Sequence, residues 1–328
     1  MQQNFFSLSR KLVQEPFQHP PLLQSVWGKP WGMRSPVGAI RQVLMHRPGH
    51  EVLLLDENSG AIESGPLLLQ HIQGCLPKNS PVQSVDLSVL QEQHDHLAAV
   101  LKQHGVEVLG LEGTVEHFPE AIFTRDGGMV VPGGIILSRP ALHVRHGETP
   151  LLASTLSRAG MPILGMIQGK GLAEGGSFTM LDERTAVIGR SERVNADGIH
   201  QVRQLLSLQD IELMTVELPA SIIHLDEAFV IVDHQKALVN IAVLPFWFLD
   251  ELQQRGFELL QVHPQDPMLS INVFALSPGQ VLCSKSGVRT LELLSRNGVE
   301  AIPVDVSEIH KLGGGIHCCI LPLMRDYV

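Results

Sequence analysis

Residues 148–166 read ETPLLASTLSRAGMPILGM: an amphipathic helix over Glu148 to Ala159, a glycine at 160, and an apolar strand over Met161 to Met166. Glycine just past the last helical residue is the usual stop, because it accepts the left-handed backbone that ends the final turn. The short apolar run behind it is too brief for a second helix and reads as a strand. Helix, glycine, strand is therefore a unit that can be searched for along the chain.

It recurs. Ser88 to Gln103 is helical, with a capping-box start at Ser88 and Gln91, and Gly105 separates it from the strand Val106 to Leu111. Ala196 to Leu208 precedes the strand Ile211 to Val216; Phe246 to Arg255 closes at Gly256 before Phe257 to Val262. Ser286 to Asn297 closes at Gly298 before Val299 to Val304. Between each strand and the next helix lies a hairpin-like pair of apolar runs, such as Phe178-Thr179-Met180 with Ala186-Val187-Ile188. The unit is ββαβ, about 45–55 residues long, and occurs roughly five times. The units are too unlike one another for an open solenoid. A closed ring follows, in which the strand Ala39 to Met45 completes the last unit: a five-bladed, pseudo-fivefold α/β propeller. Residues 39–328 then form one domain, and residues 1–38, with Pro16, Pro20, Pro21, Pro30 and Pro36, an irregular N-terminal extension.

Composition narrows the function. A net charge of −10 with no Lys/Arg cluster argues against a nucleic-acid surface and suits a cationic small molecule. No signal-peptide pattern and no apolar run of membrane-spanning length is present, so no membrane partner is expected. The cysteines Cys75, Cys283, Cys318 and Cys319 make neither a disulfide framework nor a CxxC zinc site, which points to a reducing cytoplasm. A homo-oligomer is compatible with all of this.

Just before each hairpin stands a polar or glycine-rich segment: Phe123 to Asp126, Glu174 to Ser177, His224 to Asp226, Ser270 to Asn272, and Gly313 to Cys318. They recur about every 48 residues, so in a ring they converge on one axis. Singly, each has a plain structural reading, as turn carboxylate, structural histidine, small buried cysteine or turn glycine. In register they line a cleft with Asp126, Glu174, His224, Asp226 and Cys318. Carboxylates suit the planar, permanently charged guanidinium. A thiolate can attack its carbon, favoured by the positive charge the substrate itself brings, while a histidine protonates the departing amine.

At these residues the chain resembles the guanidino-group-modifying enzymes of the pentein fold, which include arginine and agmatine deiminases, amidinotransferases and dimethylarginine dimethylaminohydrolases. The resemblance runs from about Trp27 onward, through Ala39 to Gly49, Gln91 to Asp95, Phe123 to Asp126, Glu174 to Gly176, Arg190 to Arg193, His224 to Asp226 and the terminal Gly-Gly-Gly-x-His-Cys. It implies a cofactor-free pentein catalytic domain and a covalent amidino-cysteine intermediate. Cys318 is then the nucleophile and His224 the general acid and base, supported by Glu174. Asp126 and Asp226 grip the nitrogens, and Arg193 and Arg145 hold a substrate carboxylate. Four departures bear on the substrate. Only Ser59 to Pro81 could stand in for the helical domain of arginine deiminases; Glu120 falls where asparagine is common; Ser177 replaces an aspartate; and Gly313 stands where an arginine clamps the substrate carboxylate.

The resulting expectation is a hydrolase or deiminase acting on arginine or an arginine-like small molecule, with amidino transfer to an amine as the alternative. Hydrolysis is preferred because the opening segment and Phe123 to Asp126 look deiminase-like. A silent, ligand-binding propeller is the rival from another class, and the intact Cys/His/Glu/two-Asp set counts against it. A papain-like enzyme would carry its cysteine early in the chain. No His-x-x-x-His or Cys-x-x-Cys pair sits beside the carboxylates, so no metal is expected. Turnover of a guanidino substrate should therefore survive exhaustive chelation; loss restored by added zinc would overturn this reading.

Overall fold

The computed structural model describes residues 12–54 and 85–327. The start of the expected extension, and the stretch Ser59 to Pro81 with Cys75, lie outside the described residues. Among those described, fifteen strands make five three-stranded sheets. Strands β3 (Gly128–Val131), β4 (Gly134–Leu137) and β5 (Ile163–Met166) form one, and β6 (Phe178–Met180), β7 (Thr185–Arg190) and β8 (Glu212–Glu217) the next. Strands β9 (Phe229–Asp233), β10 (Lys236–Val239) and β11 (Glu258–Gln261) follow, then β12 (Phe274–Ser277), β13 (Gln280–Ser284) and β14 (Glu300–Val304). In each, two strands form an antiparallel hairpin and the third returns parallel to the second. A parallel return needs a crossover, and the helix between them supplies it.

The fifth sheet closes the ring. Its inner strand β15 (Leu321–Arg325), at the end of the chain, pairs antiparallel with β1 (Ile40–Met45), which pairs parallel with β2 (Glu107–Gly110). This is the five-bladed α/β propeller that the repeat count predicts. Burial falls from the axis outward: β3 is buried along its whole length, whereas β5 is exposed at both ends. The inner strands pack on one another, β15 on β3, β3 on β6 and β9 on β12, and thereby form the wall of the axis.

The helix stops are local chemistry. Gly105, Gly160, Gly256 and Gly298 follow helices Leu87–Gln103, Glu148–Ala159, Phe246–Gln254 and Val288–Arg296 with φ between 74° and 88°. Helix Ala196–Ser207 has no such glycine; there Asp210 takes the left-handed turn at φ 56°, a conformation that aspartate tolerates better than most residues. The structure corrects two local expectations. The cap of Leu87–Gln103 is Asp86, whose carboxylate accepts from the backbone N–H groups of Ser88 and Val89 at 2.9 and 3.1 Å, and not the predicted Ser88–Gln91 box. Nor is the chain irregular up to residue 38: Pro20–Trp27 is a helix. Its prolines occupy the first turn, where the missing N–H costs nothing and the fixed φ helps. Leu23, Trp31, Met33 and Val37 are all buried, so this segment is part of the core. Among the described residues no helix is long and apolar enough to cross a membrane.

The cap assignment is testable by equilibrium urea unfolding. Asp86→Ala should cost about 1 kcal/mol, as loss of an N-cap does, while Ser88→Ala should stay within ~0.5 kcal/mol. Equal effects would return the cap to Ser88.

Candidate active site

Four of the five inner strands are entered through a short 3-10 turn: Thr124–Gly127 before β3, Gly175–Ser177 before β6, Leu225–Glu227 before β9 and Met268–Ile271 shortly before β12. Consecutive turns touch around the axis, so residues about 50 apart in sequence become neighbours. Glu174 and His224 occupy equivalent posts, the residue just before the turn, with φ/ψ of −125°/145° and −126°/149°. Repetition of the backbone brings a carboxylate and an imidazole face to face.

His224 Nε2 lies 2.6 Å from Glu174 Oε2, and His224 Nδ1 3.6 Å from Asp126 Oδ1. All three residues are buried. Burial alone would strip the proton from His224, but Asp126 and Glu174 outweigh it and raise the imidazole to about 10. Glu174 is lowered to about 2, its desolvation overcome by His224 and by Arg193 and Arg145. The backbone is fixed too: His224 N–H donates to Glu227 Oε1 at 2.9 Å and Gly176 N–H to Asp126 Oδ1 at 3.2 Å. A side chain at Gly176 would sit 2.7 Å from Asp126 Oδ1 and 2.9 Å from His224 Nδ1, so only glycine lets these two groups meet.

Arg145 is buried among three carboxylates. It lies 2.8 Å from Asp126, 3.0 Å from Glu148 and 3.3 Å from Glu120. Burial and the neighbouring carboxylates hold Glu148 up at about 7 despite this arginine. Arg193 lies 3.6 Å from Glu174. The resemblance assigns both arginines to a substrate carboxylate, yet here both face carboxylates of the protein; Arg145 could reach a substrate only by exchanging a partner.

Cys318 is buried immediately ahead of β15. Its N–H donates to Asn272 Oδ1 at 3.2 Å, and its carbonyl accepts from Arg125 N–H at 3.0 Å. A Cβ on Gly315 would lie 2.6 Å from Asn272 Oδ1, which explains the glycine ahead of the cysteine. Burial, then Asp226 and Asp126, push the Cys318 thiol well above its ordinary range. Cys319 is fully buried and its thiol is likewise raised by burial. Asp226 accepts from, or shares a proton with, His317 Nδ1 at 2.6 Å, while its Oδ1 has no hydrogen-bond partner among the described residues.

Asp126, Glu174, His224, Asp226 and Cys318 thus gather as one buried cluster. Sequence reasoning missed Asn272 as an anchor of the cysteine backbone, although its in-register position signalled it. It also missed Glu148, and left Glu120 open; both are joined to the site only through Arg145. Asp126, Glu174 and His224 offer ligand atoms within 4.8 Å of one another, a set that could hold a metal ion. A metal there would have to displace the His224–Glu174 hydrogen bond.

The His224–Glu174 pair has a definite pH signature. A histidine whose pKa rises from 6.5 to about 10 on folding contributes stability that is complete below pH 6.5 and is lost as pH rises through 10. The stability gap between the wild type and His224→Gln should therefore narrow steadily between pH 6.5 and pH 10 in urea titrations. A gap independent of pH would mean that His224 is neutral in the folded protein.

The family model for N,N dimethylarginine dimethylhydrolase, eukaryotic, matches residues 79–325. A curated N(G),N(G)-dimethylarginine dimethylaminohydrolase of Pseudomonas aeruginosa is 26% identical over 236 residues, covering 72% of this chain and 89% of its own length. The uncharacterized protein YkgA of Bacillus subtilis is 26% identical over 294 residues, 89% of this chain and 94% of its own. A solved structure of the Pseudomonas aeruginosa enzyme complexed with citrulline superposes with a TM-score of 0.70 at 22% identity, covering 87% of this chain and all of that one. With the ring and its thiol, imidazole and carboxylates in place, the chain belongs to the N,N dimethylarginine dimethylhydrolase family and is a guanidino-group hydrolase of the pentein superfamily.

Proposed function

We propose that the chain cleaves a C–N bond at the guanidinium carbon of arginine or an arginine-like molecule through a covalent intermediate on Cys318, with N-methylated arginines as the first candidates by family. One observation carries this: the thiol is buried beside carboxylates that oppose its ionisation. The site is therefore poorly suited to a neutral substrate and well suited to a cation. A guanidinium against Asp126 and Asp226 neutralises the charges that hold the proton on sulfur, and the proton leaves for solvent.

The thiolate forms the S–C bond. His224, protonated at neutral pH, passes its proton to the departing nitrogen as the C–N bond breaks. Now neutral, it takes one proton from water as the O–C bond forms; collapse breaks S–C and restores the thiolate, and the water's second proton leaves for solvent as the product C=O forms. Glu174 keeps the imidazole oriented and charged at the start of the cycle. Arg145 acts as a positioning residue for Asp126, and Arg193 and Arg145 bind a substrate carboxylate by exchanging a protein partner for it.

The test is a screen of methylarginines, arginine, agmatine and guanidino acids, read by amine or ammonia release and by intact mass of the acid-quenched enzyme. An adduct on Cys318 is expected, together with release that needs no added amine. Cys318→Ser should lower turnover by on the order of 10⁴-fold or more without changing the fold. Release only with an amine acceptor would make the enzyme an amidinotransferase, and undiminished turnover by Cys318→Ser would end the covalent mechanism.

A further inference from the structure

The fourth blade supplies no ionisable group to the buried cluster, yet its entry segment stands in register with the other four. The residue there is Asn272, 1% exposed, between the turn Met268–Ile271 and β12. Its φ/ψ of −77°/57° and the 2.7 Å bond from Val273 N–H to Ile271 O make it the centre of an inverse γ-turn. The turn fixes the backbone from which the amide is aimed.

Both ends of that amide are used. Oδ1 accepts the N–H of Cys318 at 3.2 Å, and Nδ2 donates to Asp226 O at 3.5 Å, a longer contact. The Asn272 carbonyl accepts the N–H of His317 at 3.3 Å, and His317 Nδ1 meets Asp226 Oδ2 at 2.6 Å. Asp226, Asn272 and His317 therefore close a hydrogen-bonded circuit across the third, fourth and fifth blades, and Cys318 is joined to it through its backbone. The amide has one orientation only: a backbone N–H on one side demands an oxygen, and a carbonyl on the other demands a donor. The glycine run ahead of the cysteine packs directly on it, since a Cβ on Gly315 would lie 2.6 Å from Oδ1 and 2.9 Å from Cβ of Asn272.

We infer that Asn272 is a positioning residue of the reaction. It holds the backbone of Cys318 against that of Asp226, and thereby the sulfur against a guanidinium bound at Asp226, without touching a reacting atom itself. Its neutrality matters as much as its shape. A carboxylate in the same place would lose the donor to Asp226 and set another negative charge beside a thiol that has to ionise. The inference rests on Cys318 being the nucleophile.

Single-turnover rates of adduct formation on Cys318 decide it, read by intact mass after acid quench. The full chain is used, at saturating concentrations of the guanidino compound that the wild type turns over fastest, N-methyl-L-arginine being tried first. Asn272→Ala should slow the step by on the order of 10²-fold at every pH, with KM within about threefold of wild type. Asn272→Asp is the sharper probe. A protonated carboxyl offers one acceptor oxygen and one O–H donor, as the amide does, and burial raises its pKa. The ratio of variant to wild-type rate should therefore be highest near pH 5 and fall on the order of tenfold by about pH 8, as the introduced carboxyl ionises. If Asn272→Ala fails to fold, the near-isosteric Asn272→Asp decides alone. A ratio for Asn272→Asp that is flat with pH, or wild-type rates in both variants, leaves Asn272 a structural residue only and overturns the inference. Absence of any Cys318 adduct in the wild type is a different failure: it overturns the mechanism on which the inference rests, and the inference with it.

Discussion

The buried contact between His224 and Glu174, 2.6 Å long, is the constraint to which the rest of the site is fitted. Bringing charged groups out of water is expensive, and a buried pair repays the cost only with good geometry and further hydrogen bonds. The fold provides both. The two residues sit at equivalent posts of adjacent blades, so the same backbone conformation, written twice, fixes their separation. Glu227 holds the histidine backbone, Arg193 flanks the glutamate, and Asp126 stands at the other imidazole nitrogen. Asp126 in turn needs Arg145, and Arg145 brings Glu120 and Glu148. The ring is therefore more than a scaffold with a site at its mouth. Its axis is an ion network, and the wall of largely buried inner strands is what keeps water from dissolving it.

Much of this was legible in the sequence because the signals are local. A helix stop needs a residue that accepts positive φ, and four of five units announce theirs with glycine; the fifth uses Asp210 and was found only by its periodicity. The five entry segments were legible by spacing, which delivered Cys318, His224, Glu174, Asp126 and Asp226. What stayed hidden is what depends on partners. Asp86 and Ser88 are both good caps, and the choice between them rests on which backbone is extended. Pro20 and Pro21 look like helix breakers until the helix begins at them. Arg145, Glu120 and Glu148 are unremarkable charges until the turn before β3 packs against the start of the following helix.

The arginines show the same limit. Resemblance marks Arg145 and Arg193 as substrate binders, but their surroundings give both a structural duty first. A residue can serve both purposes only if the substrate carboxylate replaces a protein carboxylate. Glu148, held near neutrality at about 7 by burial and its carboxylate neighbours, is the partner that Arg145 gives up at least cost, because protonating it leaves no orphaned charge.

The electrostatics also carry selectivity. A thiol kept protonated by burial and by Asp226 and Asp126 is a poor nucleophile and a poor target for oxidants, since it is the thiolate that reacts. On the proposed mechanism, only a ligand that cancels those charges releases it, and a guanidinium does so at the carbon to be attacked. A neutral isostere of the same shape would occupy the cleft without creating the nucleophile. On that mechanism, discrimination lies in the protonation state of Cys318, more than in the number of contacts the ligand makes. This is how a cleft lined by acids can accept cations generally and still react only with those whose electrophilic carbon reaches the sulfur.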